Sequence, residues 1–146
     1  MVDIVDKATR SRMMSGIRGR NTRPEVALRK ALHRLGLRFR LHDSKLPGRP
    51  DIVFPRDRAV VQVHGCFWHR HAECRYATSP ASNQDFWAAK FNANTSRDRE
   101  TRAELLELGW RIAVVWECSI RQLTAETIAS RLKDWLDCKT STAEFG

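Results

Sequence analysis

The chain has 146 residues, 42% hydrophobic and 29% charged, enough for one domain that buries its own core. No apolar run approaches the roughly 20 residues needed to cross a bilayer, and no signal-peptide pattern opens the chain. A helical membrane protein and a secreted disulfide scaffold are therefore set aside, and a cytoplasmic protein with reduced thiols is expected. The formal net charge of +9 calls for a polyanionic partner, with nucleic acid first.

Residues 1–21 are polar and basic, with Gly16 and Gly19 weakening any helix, and read as an arm with one short helix around Ser11. The basic charge is concentrated there and just beyond: Lys7, Arg10, Arg12, Arg18, Arg20, Arg23, Arg29 and Lys30 face a single acid, Glu25. Such a cluster suits phosphate contacts rather than general solubility. Thr22-Arg23-Pro24-Glu25 is a capping-box pattern with proline in the first turn. The predicted helix places Leu28, Ala31, Leu32 and Leu35 on one face and stops at Gly36.

Phe39 and Leu41 alternate with Arg40 and His42, which suggests a strand. Pro47-Gly48-Arg49-Pro50 then turns the chain into a short buried strand at 51–54, and 55–58 reads as a hairpin turn into a strand at 59–63. Ser82 or Asn83 caps a long helix running to about Leu108 and closed by Gly109. Another apolar strand follows at 112–116, and Thr124 caps a last helix bearing Ile128, Leu132, Trp135 and Leu136. The sum is an α/β fold, a small mixed sheet flanked by helices, with one domain at 22–138 and a polar tail at 139–146.

The stretch 63–74 holds three of the five histidines, two of the four cysteines and the adjacent aromatics Phe67 and Trp68. Cys66 and His71 lie five apart and Cys74 follows three later; Cys118, just past the predicted strand 112–116, is placed to supply a fourth ligand. Three thiolates and one imidazole form a closed tetrahedral set, the structural rather than catalytic arrangement of Zn²⁺. The competing reading is buried free cysteines, which are common. Cys138 has no partner in the pattern and reads as an ordinary thiol.

Asp51 opens an apolar strand after a proline-rich turn, and the next strand runs into His64. Many metal-dependent nucleases share this plan, in which an acid and a backbone carbonyl hold Mg²⁺. A turn-capping aspartate is the plainer alternative. His69 is suited, as an imidazole, to take a proton from water at neutral pH, and His64 lies close enough to share its site. His33 and His42 read as hydrogen-bonded structural histidines.

These residues together resemble the very short patch repair (Vsr) endonucleases, bacterial enzymes that nick T:G mismatches. The likeness runs from about Asp6 to Trp135. It rests on Asp6-Lys7-Ala8-Thr9-Arg10-Ser11, Leu46-Pro47-Gly48-Arg49-Pro50-Asp51, His64-Gly65-Cys66-Phe67-Trp68-His69, Arg97-Asp98-Arg99, Leu108-Gly109-Trp110-Arg111 and Val115-Trp116-Glu117-Cys118. The resemblance implies a zinc-stabilised relative of the restriction-endonuclease fold and Mg²⁺-dependent hydrolysis of one DNA strand. It makes Asp51 the Mg²⁺ ligand, helped by the backbone carbonyl of Val63, and His69 the group that activates water. Glu25 matches an acid that interacts with water around the metal, and His64 and Asp98 match a supporting active-site pair. Cys66, His71, Cys74 and Cys118 match structural zinc ligands. Phe67, Trp68 and Trp87 match aromatics that wedge into the duplex, and Met14 matches an apolar side chain entering from the minor groove.

Two departures stand out. Position 63 is valine where the best-known pattern has threonine, and the spacing from His71 to Cys74 is one residue longer. A carbonyl ligand survives the first; the second bears on Cys74. The expected activity is a nick on the 5′ side of the thymine in a T:G pair left by deaminated 5-methylcytosine. The likeness links it to a DNA cytosine methyltransferase and to a repair polymerase and ligase. A monomer suits one asymmetric lesion. Two alternatives are a zinc-stabilised module that binds distorted duplexes without cutting them, and a related nuclease with no mismatch preference.

Overall fold

The computed structural model describes residues 22–146. The expected basic arm with its expected short helix, and the candidate DNA contacts Lys7, Arg10, Arg12 and Met14, lie outside the described residues. Among the described residues the elements are α1 (Arg23–Arg34), β1 (Arg40–Leu41), β2 (Ile52–Phe54), β3 (Ala59–His64), α2 (Gln84–Glu107), β4 (Arg111–Trp116), α3 (Glu117–Leu123), α4 (Ala125–Asp137) and β5 (Thr142–Phe145). The five strands form one mixed sheet in the order β1-β2-β3-β4-β5. β1, β2 and β3 pair antiparallel, whereas β3–β4 and β4–β5 are parallel. Each parallel pair needs a crossover: α2 makes the first, α3 and α4 the second.

The period-2 geometry of a strand sorts the core into two layers. Ile52, Phe54, Val61, Ala113 and Val115 pack with Leu28 and Leu32 of α1 and Ile128 and Leu132 of α4. Val53, Val60, Ile112, Val114 and Trp116 cover the other face with Leu105 of α2, Cys66 and Cys118. Strands buried on both faces read as continuous apolar runs, as 112–116 does. The expected mixed α/β architecture is what the chain adopts.

Several local expectations hold and others do not. Thr22 Oγ1 accepts the Glu25 N–H at 3.4 Å, as the capping pattern requires. Leu35, expected on the buried face of α1, is instead its C-cap and 38% exposed. Asn83 stands at the N-cap of α2 in the left-handed region without a capping side-chain hydrogen bond. Residues 139–146, expected to be a polar tail, carry β5 in register with β4. The reason is tertiary: a strand of mixed polarity gains its ladder only because β4 offers an edge, and Trp116 Nε1 donates to Glu144 Oε1 at 2.6 Å. The short helix α3 also went unread, hidden between the apolar strand β4 and the Thr124 cap.

Candidate active site

Asp51 stands at the mouth of the β2–β3 hairpin. The Val63 N–H donates to its Oδ2 at 2.7 Å, so β3 holds the carboxylate in place. Glu25 reaches the same point from the first turn of α1 and is almost wholly buried. The side chain of Asp51 is only 16% exposed. Burial, reinforced by the neighbouring Glu25 carboxyl, pushes the Asp51 pKa up to about 8, against the lowering effect of the Val63 amide. Two acids confined together in this way are costly unless a cation joins them. The Arg29 guanidinium, 3.8 Å from Glu25, supplies part of that charge.

His42 completes this cluster, which sequence reading missed. Its Nε2 lies 3.0 Å from Glu25 Oε1 and 3.8 Å from Asp51 Oδ1. One donor atom from each of Glu25, His42 and Asp51 falls within 4.8 Å of the others. The missed signal was the alternation at 39–42, which sets His42 one step beyond β1 and opposite Asp51.

A second cluster lies across the same cleft. His69 Nδ1 is 2.5 Å from Asp98 Oδ2, a pairing of the loop after β3 with the middle of α2. His64 stacks on His69, with 3.9 Å between centroids. His64 Nε2 meets Gln62 Oε1 at 3.0 Å, while its Nδ1 is buried without a hydrogen-bond partner. Burial, then the neighbouring His69, lower the His64 pKa to about 3 and keep the ring neutral at pH 7. The cleft measures about 580 Å³ and is lined by His42 and Asp51 of the first cluster and by His64, His69 and Asp98 of the second, with Arg49 and Arg97 on its rim. Gly48, at φ +73, is where the turn before Asp51 meets α2: a Cβ there would collide with Thr101.

Cys66, His71, Cys74 and Cys118 converge in turn, with one donor atom each inside a 4.8 Å circle. Cys118 Sγ is 3.4 Å from His71 Nδ1, close to the edge of about 3.5 Å that a tetrahedron of zinc–ligand bonds implies. All four thiols of the chain are free, and Cys66 and Cys118 are buried. Burial pushes the Cys66 thiol up to about 12, a cost that a bound cation reverses. Glu73, between His71 and Cys74, takes φ 56 and is exposed, and Cys74 stays within the cluster. The site can hold a metal ion.

Phe67, Trp68 and Trp87 form one aromatic group, with centroids 5.0 to 5.9 Å apart. Phe91 backs it from α2, and Arg70 lies over the Phe91 ring at 4.2 Å. Trp87 is half-buried rather than in the core, and Phe86 beside it is 60% exposed. Phe67 and Trp68 come from the loop after β3 and Trp87 from the first turn of α2. None of the helices is long and apolar enough to cross a membrane among the described residues.

Comparison with known proteins gives this geometry its context. A family model described as "DNA mismatch endonuclease Vsr" matches residues 2–75. The chain is 44% identical to the DNA mismatch endonuclease Vsr of Escherichia coli (strain K12), over 99% of this chain and 94% of that protein. It is 48% identical to the type II nicking enzyme V.XorIIP of Xanthomonas oryzae pv. oryzae, over 94% of this chain and 98% of that one. A third relative, the type II nicking enzyme V.NmeAIP of Neisseria meningitidis, is 41% identical over 83% of this chain. The chain therefore belongs to the Vsr family, the DNA mismatch endonucleases.

Proposed function

We propose that this endonuclease hydrolyses one strand of duplex DNA on the 5′ side of the thymine in a T:G mismatch. The observation that carries the reading is the meeting, in one cleft, of Asp51, with the buried Glu25 close against it, and the His69–Asp98 pair. The hard oxygen donors of Asp51, with the Val63 carbonyl and Glu25 close by, suit Mg²⁺. Bound there, Mg²⁺ supplies the Lewis-acid charge that phosphodiester hydrolysis needs. Asp98 holds His69 through Nδ1, which leaves Nε2 to take the proton from the attacking water. His64, neutral and stacked, contributes a hydrogen bond to phosphate rather than charge. Arg49 and Arg97 at the rim suit the phosphate backbone.

The Cys₃His set suits a structural Zn²⁺, which would pin the irregular loop that carries His69 and the aromatics. Phe67, Trp68 and Trp87 are the wedge: unstacking a step costs a few kcal/mol, and least where pairing is already imperfect. The basic arm at 1–21 grips phosphates, with Met14 entering the minor groove. The sheet, with its acid at the start of the β2–β3 hairpin, suits a restriction-endonuclease-like fold. The domain is taken to run from 22, acting as a monomer in the bacterial cytoplasm. It would serve repair beside a DNA cytosine methyltransferase, with polymerase and ligase following.

A module that only binds distorted DNA accounts poorly for Glu25 and Asp51, since buried carboxylates repel phosphate. The test is an end-labelled duplex with one T:G pair, incubated with Mg²⁺ beside its matched control. A single nick before the mismatched thymine, lost with EDTA and in Asp51→Asn, is expected. Equal cutting of T:A and T:G overturns the mismatch assignment, and full activity of Asp51→Asn overturns the site.

A further inference from the structure

His42 has more to do than satisfy a carboxylate. Leu41 pairs with Ile52 across β1 and β2, and the His42 N–H donates to the Asp51 carbonyl at 3.2 Å. The backbone thus places His42 directly opposite Asp51. A left-handed turn at His42, φ 47, follows. Its side chain is 12% exposed and lines the cleft with Asp51, so its ring nitrogen faces the carboxylates from a fixed frame.

The donors of Glu25, His42 and Asp51 lie close enough together to share one ion. Neighbouring vertices of an octahedron with bonds of about 2.1 Å lie about 3.0 Å apart. His42 Nε2 is 3.0 Å from Glu25 Oε1 and 3.8 Å from Asp51 Oδ1. The set is then two oxygens and an imidazole nitrogen, and nitrogen shifts preference from Mg²⁺ toward first-row transition ions. We infer that His42 ligates the divalent ion at Asp51 and Glu25 through Nε2, and gives this site a selectivity for Mn²⁺ over Mg²⁺ that an all-oxygen site lacks. The inference rests on the reading of Asp51 as a metal ligand.

Direct metal binding tests it without recourse to nicking. Zinc-loaded full chain would take one equivalent of Mn²⁺ and be examined by pulsed electron paramagnetic resonance. Modulation from a coordinated imidazole nitrogen is expected in the wild type and in His69→Gln, and is lost in His42→Gln. Calorimetric titration should show His42→Gln weakening Mn²⁺ about tenfold or more, with Mg²⁺ changed by less than about threefold. Absence of nitrogen modulation in wild type with Mn²⁺ bound, or its persistence in His42→Gln, overturns the assignment; so does an equal effect on both ions, which marks a charge effect. Asp51→Asn separates the two readings. If it binds Mn²⁺ as tightly as wild type, the Asp51 site itself falls; if it loses Mn²⁺ while wild type with Mn²⁺ bound shows no nitrogen modulation, only the role of His42 does.

Discussion

His64 and His69 lie ring on ring, 3.9 Å between centroids and 5° between planes. The two imidazoles are nonetheless in different electrostatic positions. His69 has a carboxylate partner in Asp98, while His64 is buried and driven toward its neutral form by its neighbour. Two stacked positive rings are therefore avoided at neutral pH.

The Asp98–His69 pair should separate orientation from binding. His69→Ala is expected to slow single-turnover nicking of a T:G duplex by about 10²–10⁴-fold. Asp98→Asn should leave duplex affinity within a few-fold but slow the nick and shift its pH profile. An unchanged pH profile in Asp98→Asn would mean that the carboxylate does not govern the His69 proton.

Burial of His64 predicts a stability slope in acid. Its ordinary pKa is 6.5 and the folded value about 3. Above pH 6.5 the ring is neutral in both states and has no effect on the slope. As pH falls from 6.5 toward 3, the unfolded chain binds a proton that the native state refuses, so stability drops by up to about 1.4 kcal/mol per pH unit. In urea unfolding at pH 7.5, 6 and 5, His64→Gln should lose that component. A wild-type-minus-variant difference that stays flat with pH would contradict the burial.

Removing the metal from the Cys66–His71–Cys74–Cys118 cluster should unfold more than a loop. The purified chain is expected to release one equivalent of zinc on thiol modification. Cys118→Ser should lower the thermal midpoint by about 10 °C or more, a few kcal/mol for a chain of this size. A metal-free protein with an unchanged midpoint would show that the cluster is held by packing alone.

The C-terminal strand should couple to that cluster. Trp116 lies between them, bonded to Glu144 of β5 and stacked on His71 at 4.2 Å. Deleting residues 140–146 also removes a parallel ladder and frees Arg111 from the Thr140 carbonyl. The truncated chain is expected to melt earlier and to release zinc faster to a chelator. Retention of zinc at the wild-type rate would place β5 outside this network.

The aromatic group should set discrimination more than rate on a distorted substrate. Trp68→Ala is expected to weaken preference for T:G over T:A duplexes by about tenfold or more, the scale of one base-stacking contact. The check is the ratio of nicking rates on the two duplexes, and an unchanged ratio would remove Trp68 from the wedge.

Much of the fold was legible because its signals are local. Apolar runs at 52–54, 59–63 and 112–116, the Thr22 and Thr124 caps and the glycine stops each act within a few residues. The residues of the cysteine–histidine cluster were readable for the same reason, since three of the four lie within nine positions. Asp98 was reachable only through family likeness, because 29 residues separate it from His69.

Sequence alone determined the periodicity of the core, the family and the residue types available for metal and DNA. The meeting of Glu25, His42 and Asp51 was decided by tertiary structure. Nothing in local spacing brings the first turn of α1 against the β1–β2 edge; that follows from how α1 packs on the sheet with α4. The same holds for β5, whose polar sequence has no strand period and which exists because β4 leaves an edge to be paired. Local rules act through dihedrals and neighbours at fixed offsets, whereas these contacts depend on strand register and helix packing, set only once the whole core has closed.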